Sequence, residues 1–192
     1  MAALYPVFLK LDGLTVVVVG GGPVAASKLD GLLAAGARVT VVAPQIVDAI
    51  RAHESVTLLE TEFCAAQLNG VRWVVAAATP DVNRAVAVAA AERGLFVNAV
   101  DEPANASAYL GGVVRRGEIE IAISTGGTAP ALAGLLREAL DAILPHDLER
   151  WTAVAAAARR EWRRDGIVMA ERRPMLMRAL DRLYRPKSQV AS

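Results

Sequence analysis

An α/β fold, with a parallel sheet covered by helices on both faces, is predicted by three observations on this 192-residue chain. Thr15 to Val19 is an unbroken β-branched run, as a strand buried on both faces requires. Three glycines follow, Gly20, Gly21 and Gly22, and an Ala/Leu-rich helical pattern begins at once. Short apolar runs then alternate with helix-like segments to about residue 100, the grammar of a sheet built from right-handed crossovers.

The elements follow in order. Residues 24–35 read as a helix closed by Gly36, and 38–43 as a second strand ended by Pro44. Residues 46–53 read as a short helix, 56–60 as a third strand, and 71–77 as a fourth strand leading to Thr79-Pro80-Asp81. A long Ala/Val helix over 82–93 stops at Gly94, and 95–100 forms a fifth strand ending at Asp101-Glu102-Pro103. The pattern then changes. Residues 112–124 read as two strands joined at Arg116-Gly117, a hairpin and not another crossover. Thr125 to Pro130 is a loop in which Thr128 is the expected N-cap, and a helix runs from there to about Leu144. Two further helices are expected over 147–164 and 170–184, with frayed residues from Pro186.

Composition narrows the function classes. The chain is 54% hydrophobic, ample for a core, but its apolar runs fall short of the roughly 20 residues that a membrane span needs. No basic and apolar leader is visible at the start, and a single cysteine fits a reducing compartment, so a cytoplasmic location is expected. One Cys and two separated His argue against a resident metal; Cys64 reads as a quietly packed side chain. The net charge of +1 hides an asymmetry. Residues 1–150 carry 11 Lys/Arg against 16 Asp/Glu, whereas 151–192 carry 10 against 4. Nine of those last ten cations are Arg, the residue that grips carboxylates and phosphates in a bidentate fork.

The frame Gly20-x-Gly22-x-x-Ala25 lies between a strand and a helix, which is the context of a dinucleotide-binding turn. Glycines let backbone N–H groups approach a pyrophosphate at the positive helix N-terminus. In such sheets ligands lie beyond the C-terminal strand ends, here residues 20–23, 43–45, 78–80 and 98–103. The acid usually found at the end of the second strand is missing. Val42-Ala43-Pro44-Gln45 stands there without an Arg, which mildly favours NAD over NADP.

Six features in order resemble one known family: Tyr5-Pro6-Val7-Phe8-Leu9, residues 19–25, Lys28, Ala77-Ala78-Thr79, Asn98-Ala99-Val100-Asp101, and Ser124-Thr125-Gly126-Gly127-Thr128-Ala129-Pro130. They are similar to the precorrin-2 dehydrogenase/sirohydrochlorin ferrochelatase family, the siroheme synthase module. The methyltransferase domain fused to it in some relatives is not expected in 192 residues. The resemblance implies a Rossmann-like domain over residues 1–113, a dimerisation segment over 114–146 and a helical domain over 147–192. It implies NAD-dependent oxidation of precorrin-2 to sirohydrochlorin by a homodimer, with ferrous iron insertion as a second activity in many relatives. Asp101 matches the family's catalytic aspartate. Pro23, Val24, Pro44 and Gln45 match its nucleotide contacts, beside Gly20 and Gly22, while Thr79 and Asn98 fall near the expected nicotinamide and ribose. Ser124, Thr125, Gly126, Gly127 and Thr128 are the expected substrate loop. Thr125 stands where some relatives carry a serine that can be phosphorylated. The substrate's eight carboxylates call for a basic wall, for which Arg159, Arg160, Arg163, Arg164, Arg172 and Arg173 are candidates.

A carboxylate at a strand end can accept the protons that such an oxidation, or a metal insertion, releases. The same Asp101 can also be read as a turn-capping residue. Two other classes stay open on the residues alone. One is an NAD-sensing regulatory subunit without catalysis; the other is nucleic-acid binding by the basic tail, which has few aromatic residues and no recognised motif.

Overall fold

A computed structural model describes residues 3–184. The expected fraying from Pro186 lies outside the described residues. The chain divides into two compact units, Met1–Leu110 with Ser124–Ala129, and Gly111–Ile123 with Pro130–Ser192.

The first unit is built on a five-stranded parallel sheet. Its strands are β1 (Thr15–Val19), β2 (Arg38–Val42), β3 (Thr57–Leu59), β4 (Trp73–Ala76) and β5 (Val97–Ala99), in the order β3-β2-β1-β4-β5. β1 is central and pairs in parallel with β2 on one side and β4 on the other. Alternation sends Val16 and Val18 to one face, with Val39, Val41 and Val75, under Leu29 and Leu32 of helix α1 (Pro23–Ala34). Val17 and Val19 face the other way, with Val42 and Val74, under Val86, Ala89 and Ala90 of helix α3 (Pro80–Ala91). The continuous β-branched run is thus explained by two buried faces. β3 and β5 are three-residue edges, short as exposed edges usually are.

Two local expectations need correction. Helix α2 covers only Asp48–Arg51, not 46–53, because the Val47 N–H is taken by the Gly21 carbonyl at 2.9 Å and the chain turns helical only beyond it. Ala65–Leu68, with no element expected, forms a 3-10 turn. Cys64 is exposed and caps it, with its backbone N–H donating to Gln67 Oε1 at 2.9 Å, so it does not pack inside. A bidentate Arg51–Glu60 pair (2.7 and 2.8 Å) ties α2 to the segment after β3; the guanidinium holds the Glu60 carboxyl below its usual range.

The second unit opens with an antiparallel hairpin, β6 (Gly112–Arg116) and β7 (Ile119–Ile123), its turn at Gly117. Helix α4 (Pro130–Ile143) packs on it closely enough that a Cβ on Gly112 would press on the Ala133 carbonyl. Arg116 reaches the same helix, with an ion pair to Asp141 at 2.8 Å and a hydrogen bond to the Asp141 carbonyl at 2.9 Å. Helices α5 (Glu149–Arg164) and α6 (Met169–Tyr184) follow. Trp151 Nε1 donates to the Tyr184 hydroxyl at 2.6 Å and joins the start of one to the end of the other.

Among the described residues no helix is long and apolar enough to cross a membrane. Leu29 is fully buried between α1 and the sheet. Leu29→Ala is expected to lower unfolding stability by about 2–5 kcal/mol, read as a shifted urea midpoint with unchanged slope.

Candidate functional site

The strands of the first unit run in one direction, so the segments after β1, β2, β4 and β5 gather along one rim of the sheet. β1 lies between β2 and β4, and the chain reverses its direction of winding there. That is where α/β sheets of this kind open a crevice.

The glycine turn is held by backbone packing before any ligand is considered. Gly20 has φ 128°, and a Cβ there would overlap the Ala77 carbonyl after β4. A Cβ on Gly21 would overlap the Gln45 carbonyl after β2. Contacts within the protein therefore already require glycine at these two positions. Gly22 is different. Its backbone is ordinary extended chain, and no atom lies within 4 Å of where its Cβ would stand. Gly22 is the N-cap of α1, which has Pro23 at its first position and no side-chain cap. The first-turn N–H groups have no intrahelical partners by geometry. Uncapped N–H groups beside open space, at the positive end of a 12-residue helix, fit a pyrophosphate.

The other expected nucleotide residues line the same rim. Pro23, Val24, Pro44, Gln45 and Thr79 are all exposed. Thr79 is the N-cap of α3, yet its hydroxyl makes no cap bond. Asn98 is buried, and its Nδ2 donates to the Ala108 carbonyl at 3.0 Å, so part of its role is to tie β5 to the chain that returns beside it.

Asp101 has φ 57°, and among the described residues it is the one non-glycine in the left-handed region. Aspartate tolerates that conformation better than most residues, yet it is costly enough that strain of this kind clusters at functional sites. Its carboxylate is exposed and has neither hydrogen bond nor ion pair. A turn-capping aspartate would spend its side chain on the backbone; this one does not.

Three residues that the sequence did not single out are bonded into the same turn. Glu102 Oε1 accepts from Asn83 Nδ2 at 2.8 Å and Oε2 accepts from Asn105 Nδ2 at 2.6 Å. Asn83, 1% exposed, also brackets Ala78, accepting from its N–H and donating to its carbonyl. An Asn within an Ala/Val helix was the available signal. The third is Tyr109, whose hydroxyl donates to the Pro103 carbonyl at 3.3 Å.

Tyr109 also meets the expected substrate loop. Gly127 has φ 76°, and a Cβ on it would press within 2.8 Å of the Tyr109 ring, with Pro103 beside it. The loop Ser124–Ala129 therefore belongs to the same compact unit as the Asp101 turn. Inside it, Ser124 Oγ accepts from the Gly126 N–H (3.1 Å) and Thr128 Oγ1 donates to the Thr125 carbonyl (2.6 Å). Thr125 Oγ1 accepts from the Ala129 N–H (3.3 Å). Helix α4 starts at Pro130, so Thr128 is not its flanking cap; the hydroxyl that serves this end is that of Thr125.

The two units together define a dinucleotide-binding α/β protein with an appended hairpin and helices. The chain belongs to the family described as "Putative NAD(P)-binding", whose model matches residues 7–112. A second model, described as "Sirohaem biosynthesis protein central", matches residues 116–142, so the family resembled in the sequence is the family found. Siroheme synthase 3 of Aeromonas hydrophila subsp. hydrophila is 41% identical over 185 residues, covering 93% of this chain and 39% of its own length. Siroheme synthase of Salmonella arizonae is 41% identical over 175 residues, covering 88% of this chain and 38% of its own length. The chain thus spans about two fifths of the curated relatives it matches. The solved structure of SirC, a precorrin-2 dehydrogenase, superposes with a TM-score of 0.73 at 26% identity, over 91% of this chain and 88% of that one.

Substituting Gly22 by alanine meets no protein atom. Gly22→Ala is therefore expected to melt within a degree or two of the parent and to bind NAD at least about tenfold more weakly by calorimetry, since it intrudes on the ligand's space. Gly21→Ala, by contrast, should lose stability outright.

Proposed function

We propose that this chain oxidises precorrin-2 to sirohydrochlorin with NAD, a step in siroheme biosynthesis, in a cytoplasmic setting. The observation that carries this reading is the free, exposed Asp101 carboxylate on a strained turn at the ligand-binding rim. It is supported by the siroheme synthases and the SirC structure to which the chain is similar.

Gly22 and the first turn of α1 hold the pyrophosphate through backbone N–H groups, with Val24 against the cofactor. Pro44 and Gln45 border the adenosine ribose, and Thr79 and Asn98 the nicotinamide end. Bound there, NAD supplies the hydride acceptor. Asp101 accepts at its carboxylate a proton that the macrocycle releases as its hydride leaves, and the exposed site lets that proton pass to water. Should ferrous iron be a further substrate, the same carboxylate takes pyrrole N–H protons during insertion. Ser124, Thr125, Gly126, Gly127 and Thr128 border the macrocycle and orient its carboxylates. Of the C-terminal arginines, Arg164 is paired with Asp165 and Arg172 with the Ile167 carbonyl. Arg159, Arg160, Arg163 and Arg173 have no protein partner among the described residues and stand available for carboxylates.

The active form is a homodimer, with residues 114–146 as its dimerisation segment. Leu132, Leu135, Leu136, Ala139 and Ile143 recur at helical spacing on one exposed face of α4, opposite the side that packs on the hairpin. A stripe of that width on an amphipathic helix is suited to a second copy of itself.

Purified protein given enzymatically made precorrin-2 and NAD should release NADH, followed by siroheme absorbance on adding ferrous iron if both activities are present. Absence of NADH would overturn the enzyme and leave the NAD-sensing subunit. Asp101→Ala should keep its fold and its NAD affinity while kcat drops by about 10²-fold or more. Near-normal kcat in that variant would remove Asp101 from the mechanism. Leu135→Asp should convert the dimer to monomer in light scattering, whereas an unchanged mass would exclude the α4 face.

A further inference from the structure

We infer that Glu102 is a positioning residue for Asp101, acting through Asn83 and Asn105; the inference rests on the reading of Asp101 as the proton acceptor. Two acidic residues stand side by side at the rim and their environments differ. Asp101 bonds to nothing, so its own side chain does not hold its left-handed backbone in place. Glu102, half-buried, has each carboxylate oxygen occupied, by Asn83 at 2.8 Å and Asn105 at 2.6 Å.

Asn83 carries the constraint inward. It is 1% exposed, sits one turn into α3, and closes a two-bond bracket on Ala78 through N–H···Oδ1 at 2.9 Å and Nδ2···O at 3.2 Å. One carboxylate therefore couples the turn after β5 to the segment after β4. Thr79, expected beside the nicotinamide, is the next residue of that segment. Asn105 closes the other side, three residues beyond Glu102, so the turn is clamped from both ends. Charge-assisted bonds of this length are the stronger kind, and a buried amide leaves them little freedom. Glu102 thereby sets the direction in which the neighbouring free carboxylate points. Both of its oxygens are engaged in holding the turn, whereas those of Asp101 are not.

The bonding pattern supplies a test by reversal. In Glu102→Ala both arms of the clamp are lost, whereas in Glu102→Gln the Asn105 amide, bonded only through its Nδ2, can turn over and keep the outer arm. In Asn105→Asp a second carboxylate faces Glu102. In the double variant Glu102→Gln with Asn105→Asp, the amide introduced at position 102 can donate to the carboxylate introduced at position 105, and the outer arm is restored.

The experiment is steady-state turnover of precorrin-2 by the full chain, with NAD affinity by calorimetry and melting temperature measured in parallel. Glu102→Ala and Asn105→Asp are each expected to lower kcat by about tenfold or more, as small misplacements of reacting groups do, with KM for NAD within about twofold. The double variant is expected to recover kcat to within about threefold of the parent. A bond that merely stabilised the turn would shift melting without this split between kcat and KM. Unchanged kcat in Glu102→Ala, or a double variant no better than Asn105→Asp, would overturn the inference. If Glu102→Ala fails to fold, Asn105→Ala, which removes only the outer arm, is read by the same criteria. A parent protein without turnover would defeat the reading of Asp101 instead, so the two failures are distinguishable.

Discussion

Backbone crowding at the end of β1 is the constraint on which the candidate site depends. Gly20 and Gly21 leave no room for a Cβ, because the carbonyls of Ala77 and Gln45 occupy that space. The segments after β2 and β4 are thereby drawn against the turn after β1. The next residue along the chain escapes the crowding and faces open space, at the start of a helix with no side-chain cap. Two glycines shape the protein and the third leaves room for a ligand, although all three look alike in the sequence.

The second half of the rim follows another logic. Around β5 the chain does not close on glycines but on amides and one carboxylate: Asn98 on Ala108, Asn83 on Ala78, and Glu102 between Asn83 and Asn105. Desolvated amides that find partners are inexpensive to keep and costly to leave alone. That asymmetry gives a rigid frame around Asp101, whose own carboxylate is left uncommitted.

The sheet was legible because burial on two faces demands β-branched runs, seen in Thr15–Val19 and again in Val39-Thr40-Val41-Val42. Boundaries were less so, since they depend on single contacts. The Val47 N–H, taken by Gly21, shortened α2, and the hydroxyl serving the start of α4 came from Thr125 and not from Thr128. In the site, Asp101 and the glycine frame could be read from local pattern. Asn83, Glu102 and Tyr109 could not, because their partners lie three to nineteen residues away and only the fold shows which of them meet. Cys64 went the wrong way for a similar reason: residue type suggested an interior place, while its neighbours made it a cap at the surface.

The six residues Ser124–Ala129 are a short return of the polypeptide to the first unit, between a strand and a helix that both belong to the second. Sequence order and structural membership therefore part company. A fragment ended at Leu110 would look like a complete nucleotide-binding domain by its strand count. Yet it would strip the aromatic ring of Tyr109 of the glycine seated against it, and uncover apolar surface beside the acidic turn. Any dissection of this protein into halves has to leave that splice intact, and grafting it onto the shortened fragment would require a designed linker rather than a simple cut.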